Sequence, residues 1–289
     1  MCGIAGMILA EQTRTEKELE SIRTDFSTLI AATQSRGRDA TGAFVVNRSG
    51  VKFLKMALPA TKMVKTPDWW ALMDAIGDDT IAVIGHTRAA TQGSPSVKGN
   101  NHPIEIGRII GVHNGIIIND EEIRESCPWD AEIEVDSAAI FALLNSTPKP
   151  LTTETIGESL EDLVGDFAIV ALDMRRPNSV FIARDDGRPL FYGRDASLGV
   201  LWLSSTERLM ATVFDGIATS LPAYTVARLT RKHAAGKSIK VEGFGGSIED
   251  LEDSYARQPM WRGTLEDLTE AEQQEMWDWS AGLELGPRV

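Results

Sequence analysis

The chain has 289 residues, 43% hydrophobic and 25% charged, with a formal net charge of −13 at pH 7. That length carries one large domain or two small ones around a sizeable core, and no apolar run approaches the ~20 residues needed to span a bilayer. Residues 241–289 hold twelve acids and three bases, and the preceding 240 hold thirty acids and twenty-six bases, so a nearly balanced region precedes an acidic tail. Such a chain repels a phosphate backbone overall, and neither a nucleic-acid nor a membrane partner is expected.

In chain order, MCGIAGMILAEQTRTEK lacks a basic region followed by a long apolar stretch, so no signal peptide is expected. Two cysteines, Cys2 and Cys127, make no disulfide framework, and a cytoplasmic location is expected. Cys127, in the polar stretch RESCPWD, reads as incidental. Residues 2–9 read as a short buried strand. Residues 15–34 read as a helix, because Leu19, Ile22, Phe26, Leu29 and Ile30 recur at helical spacing. SRGRDATG loops into the strand AFVVN, residues 61–76 read as one helix, and TIAVIGHTR as a buried strand running into a loop. RIIGVHNGIII reads as a strand pair turning at Asn114-Gly115. Helices follow near 136–145 and 154–163, then the strands DFAIVALD, SVFIARD, LFYGR and VLWLSS, a helical TERLMATVF and a last strand in AYTVARLT. Hairpin-like strand pairs in place of regular βαβ alternation predict an α+β fold with largely antiparallel sheets. The main domain is taken as residues 1–240. GFGG at 243–246 marks its boundary with the tail, 241–289, which carries Trp261, Trp277 and Trp279 and is expected to be partly helical near 264–280.

The chemistry starts at Cys2. A methionine before a small residue is commonly removed, which makes Cys2 the first residue and gives it a free α-amine with a pKa of roughly 7.7–8.0. A general base should titrate near working pH, and here base and thiol nucleophile sit on one residue. Three further segments bear on the same chemistry. In GHTRAATQG, Arg88 ends an apolar strand, where a guanidinium takes a carboxylate bidentately or simply joins a surface ion pair. In VHNGII, Asn114 and Gly115 form either a hairpin turn or two donors, the side-chain amide and a backbone N–H, aimed at one developing oxyanion. In EVDSAAIF, Asp136 stands where a helix starts, as a cap or as the partner of a substrate ammonium group.

Taken together, MCGIAG, SRGRDATG, GHTRAATQG, NNHP, VHNG and the Asp136 segment, followed by GDFAIVALD, ARDDGRPLF and SSTERLM, resemble the class II, N-terminal-nucleophile glutamine amidotransferases. The likeness is to the glutaminase domain of glucosamine-6-phosphate synthase and covers roughly residues 2–230. The resemblance implies a four-layer αββα sandwich. It also implies Cys2 as nucleophile with its own amine as base, Arg88 on the glutamine α-carboxylate, and Asn114 and Gly115 as the oxyanion hole. Asp136 would take the α-amino group, Thr91 and Gly93 would line the glutamine pocket, and His86 would support the strand end. The reaction it implies is hydrolysis of L-glutamine through a Cys2 thioester, with no cofactor and no metal. Two positions depart from the family's pattern: Ala89 stands where a tryptophan is usual and Gln92 where a histidine is usual. Only about 50–60 residues follow the resemblance, too few for a second catalytic domain, so a separate ammonia-accepting synthase is the expected partner. A stand-alone amidohydrolase acting on a γ-glutamyl amide or small peptide is the competing reading, with a non-catalytic glutamine-binding regulator or scaffold a third.

Overall fold

The structure, a computed structural model, describes residues 1–245; the helix expected near 264–280 and the three tail tryptophans lie outside the described residues. The chain begins with strand β1 (Gly3–Leu9), helix α1 (Glu16–Thr33) and the hairpin β2 (Ala40–Asn47) and β3 (Gly50–Met56). Short helices α2 (Ala60–Met63) and α3 (Pro67–Met73) lead to β4 (Thr80–Arg88), β5 (Ile104–Ile106) and β6 (Ile109–Ile117). Three helices follow, α4 (Asp120–Ser126), α5 (Ser137–Ser146) and α6 (Thr153–Leu160). The rest is β7 (Gly165–Asp173), β8 (Val180–Arg184), β9 (Phe191–Asp195), β10 (Val200–Ser204), α7 (Glu207–Met210), β11 (Thr219–Ser220), β12 (Thr225–Leu229), α8 (Arg231–Ala234) and β13 (Val241–Gly243).

Among the described residues the strands form two sheets, β11-β9-β10-β1-β4-β2-β3 and β13-β12-β8-β7-β6-β5, with antiparallel pairing throughout. Period-two alternation assigns each strand's faces. Ile4 and Ile8 of β1, Leu201 and Leu203 of β10, and Ile110 and Val112 of β6 meet in a core between the sheets. The opposite faces pack outward: Ala5, Met7 and Leu9 against α1 and α3, and Ile109 and Ile117 against α5 and α6. The result is the four-layer αββα sandwich, with three apolar layers in place of one core.

Local chemistry explains the helices. Thr15 and Glu18 form a reciprocal capping box at the start of α1, a device worth about 1 kcal/mol. The predicted stripe, Leu19 to Ile30, is the buried face. Trp69 of α3 is fully buried, stacks on Phe26 at 6.0 Å and donates its indole N–H to Ser27 Oγ at 2.8 Å.

Four expectations change. Residues 61–76 are not one helix, because Pro67 holds Thr66 extended and starts a second helix with Thr66 as its cap. Asn114-Gly115 is not a turn: β6 pairs continuously with β7 from Ile109↔Asp173 to Ile117↔Gly165, and the dipeptide lies inside that ladder. The helix in TERLMATVF is only Glu207–Met210. Strand β3 is an addition to the expected elements, because its lysines and exposed positions mark a polar edge strand with no apolar run. Past residue 240, β13 adds an edge to the second sheet, and Phe244 packs near Phe167.

Candidate active site

The alternation that builds the inter-sheet core also gathers the predicted residues at its open end. Cys2 continues the phase of Ile4 and Ile8, Arg88 that of Ala82 and Ile84, and Asn114 that of Ile110 and Val112. Cys2 is half-buried; its Sγ accepts the Ala89 N–H at 3.3 Å, and its carbonyl accepts Arg36 Nε–H at 2.8 Å. Burial pushes the thiol above its ordinary value, against the opposing pull of the Ala89 N–H, the chain's amino terminus and Arg88. Met1 is 73% exposed, with its sulfur 3.9 Å from an Arg188 nitrogen, so nothing encloses the residue that precedes the thiol.

Arg88 is buried yet held by neutral oxygens: Asn101 Oδ1 at 2.9 Å, the Gly93 carbonyl at 2.8 Å and the Gln92 carbonyl. Asp136 is buried at the N-terminus of α5, but its side chain does not cap the helix; Oδ2 instead accepts the Ile117 N–H of β6 at 2.8 Å. Among the described residues neither group has a direct counter-ion, although both charges act on the Cys2 thiol. A buried cation held by neutral oxygens and a buried anion held by a backbone N–H thus lie within electrostatic reach of one thiol and of each other.

Asn114 is 2% exposed, and its side chain meets Ser205 Oγ at 2.8 Å. Gly115 has φ of +147°, a conformation L side chains rarely adopt, and a Cβ there would fall 1.8 Å from the Asp166 carbonyl oxygen. Gly93, at φ of +70°, turns the loop whose carbonyls cradle Arg88, and Thr91 lies exposed on that loop. Gln92 donates to Asp120 Oδ2 at 3.2 Å, tying the loop to α4. His86 points inward, its Nε2 3.0 Å from the His113 carbonyl and its ring 4.0 Å from that of His102. Burial drives His86 down to about 3, so it stays neutral.

Sequence reasoning singles out none of Ser205, Asn101, Arg36 or Asp39, whose carboxylate accepts the Ala90 N–H at 2.7 Å. For Ser205 a signal exists: it continues the inward phase of Leu201 and Leu203. Cys127 packs partly buried against the α5 and α6 layer, with no link to this site. Among the described residues no group of three or more His, Cys, Asp or Glu is placed to hold a metal ion, and no helix is long and apolar enough to cross a membrane.

Two antiparallel sheets stacked between helices define an αββα sandwich, with Cys2, Arg88 and Asn114 at one end of its inner core. A glutamine amidotransferase domain family model matches residues 86–211. A 7-cyano-7-deazaguanine synthase of Saccharolobus solfataricus is 27% identical over 237 residues, 80% of this chain and 48% of that protein. A glutamine–fructose-6-phosphate aminotransferase (isomerizing) of Escherichia coli O6:H1 is 33% identical over 199 residues, 67% of this chain and 30% of that protein. In fold, the chain matches the solved glutamine phosphoribosylpyrophosphate amidotransferase of B. subtilis with a TM-score of 0.65 at 17% identity, over 86% of this chain and 50% of that one. This chain spans about half the length, or less, of the curated relatives it matches. It carries a class II glutamine amidotransferase domain.

Proposed function

We propose that this domain hydrolyses the side-chain amide of L-glutamine to glutamate and ammonia and that the ammonia passes to a separate synthase. The observation that carries the reading is the pair of buried groups Arg88 and Asp136, neither in a direct ion pair and both within electrostatic reach of the Cys2 thiol. They suit an amino acid's α-carboxylate and α-ammonium, and in this reading its side-chain amide meets the sulfur. Once Met1 is removed, the Cys2 amine takes the thiol proton and Sγ attacks the carboxamide carbon. The Asn114 amide and the Gly115 N–H stabilise the oxyanion. Collapse of the adduct expels ammonia with the proton returned by the amine, and water then cleaves the thioester to free glutamate and the thiol. The partner rests on the relatives' names, a synthase in one and an aminotransferase drawing on glutamine in another. Those names point to different acceptors, so the acceptor is not carried over.

Stand-alone cleavage of a larger γ-glutamyl amide is favoured by one feature, the small Ala89 directly against Cys2. Comparing glutamine with a γ-glutamyl anilide separates the readings. Glutamine as the better substrate by kcat/KM supports the amidotransferase, and a strong preference for the anilide overturns it.

Because burial holds the Cys2 thiol protonated at neutral pH, the reaction needs its base. With an α-amine of pKa roughly 7.7–8.0, kcat/KM rises with pH, about tenfold per unit below 7, and levels off above about 8. A profile flat from pH 6 to 9 contradicts an amine base. Replacing Arg88 with lysine removes the fork that engages Asn101 and the loop carbonyls. Steady-state kinetics should show KM for glutamine up about a hundredfold with kcat little changed, the signature of lost ground-state binding.

A further inference from the structure

We infer that Ser205 is a positioning residue that locks the orientation of the Asn114 amide to the strand carrying the nucleophile. The inference rests on the glutaminase reading, in which that amide faces the oxyanion. Ser205 is fully buried one residue beyond β10, at the seam between the two sheets. It holds both backbone groups of Ile4 on β1: its Oγ accepts the Ile4 N–H at 2.7 Å and its own N–H donates to the Ile4 carbonyl at 3.0 Å. The same Oγ meets the Asn114 side chain of the opposite sheet at 2.8 Å. One hydroxyl thus joins the second residue after Cys2 to the oxyanion residue on β6.

The hydroxyl's single proton decides the orientation. With Asn114 Nδ2 donating to Oγ, that proton has only the Ile4 carbonyl, 3.4 Å away and already occupied, while Asn114 Oδ1 is buried with no partner. Exchanging the amide's oxygen and nitrogen resolves both faults, because Oγ–H then donates to Oδ1 and still accepts from Ile4. Both Nδ2 hydrogens are released. In this orientation they are left for the oxyanion. Without Ser205 the amide is free to turn, and its oxygen then faces the developing negative charge.

Steady-state kinetics on the processed full chain test the role. Ser205→Ala should lower kcat about a hundredfold, the scale of one lost oxyanion donor, with KM for glutamine within about threefold. Ser204→Ala is the control: that neighbouring serine is as deeply buried, and its Oγ has no partner, so its removal leaves kcat unchanged. Ser205→Ala added to Asn114→Ala should cost no further kcat, because the two act through one group. Full additivity, an equal loss in Ser204→Ala, or a loss in KM alone overturns the inference. Neutron diffraction from the deuterated wild-type protein reads the same point without turnover, so a failed glutaminase reading remains distinguishable. An Oγ deuteron directed at Asn114 supports the lock, and an Nδ2 deuteron directed at Oγ overturns it.

Discussion

Replacing Cys2 with alanine abolishes the release of glutamate and ammonia from glutamine, by about 10⁴-fold or more in kcat, while the protein stays folded and still binds glutamine. The expectation follows from what Cys2 touches. Its Sγ has two long contacts, both with the Ala89 backbone, at 3.3 and 3.5 Å. Truncating a half-buried thiol with such partners costs little, on the order of 1 kcal/mol. The groups proposed to hold the substrate are built from other elements: Arg88 is fixed by Asn101 and the loop carbonyls, and Asp136 by Ile117. Chemistry and binding therefore separate. Calorimetric titration should give a glutamine affinity within a few-fold of the native protein, and a coupled assay should give no turnover. Substantial residual turnover places the nucleophile elsewhere.

Replacing Gly115 with alanine removes both activity and much of the stability. Two penalties coincide there. The backbone holds φ of +147°, and the added Cβ would lie 1.8 Å from the Asp166 carbonyl oxygen and 2.6 Å from His113 Nε2. Asp166 is the register partner of Ile116, so the β6–β7 ladder must open at the oxyanion position itself. The cost is on the order of 3 kcal/mol or more, read as a lower urea midpoint. Gly50 separates strain from crowding. It has a similar φ of +140° at the β2–β3 turn, and a Cβ added there would meet nothing within 4 Å, so Gly50→Ala should cost only about 1 kcal/mol and leave activity intact. Equal losses at the two positions would show that crowding against β7 plays no part.

Much of this is written locally in the chain and is legible there. Alternation along β1, β4 and β6 marks buried strands, and the same phase, carried past the apolar residues, brings Cys2, Arg88 and Asn114 to one end of the inner core. The Leu19–Ile30 stripe gives α1. Less legible is whatever depends on a distant partner. Asn114-Gly115 has the composition of a hairpin turn, and only continuous pairing with β7 makes it strand. Asp136 looks like a helix cap, but its side chain serves the Ile117 N–H across from it. Ser205 lies 91 residues from Asn114 and 201 from Ile4, so its role exists only once the sheets stack. The Pro67 break is different, since its signal stands in the sequence and is outweighed there by the flanking helical pattern.

The most direct test of an N-terminal nucleophile is to prepare the protein with a cleavable extension before Cys2 and assay glutamine hydrolysis before and after cleavage, with intact mass confirming each form. The expected result is turnover confined to the form with a free Cys2 amine, accompanied by a γ-glutamyl adduct on that residue when the reaction is quenched. Equal turnover by the extended form would contradict it, because the α-amine could then not be the base.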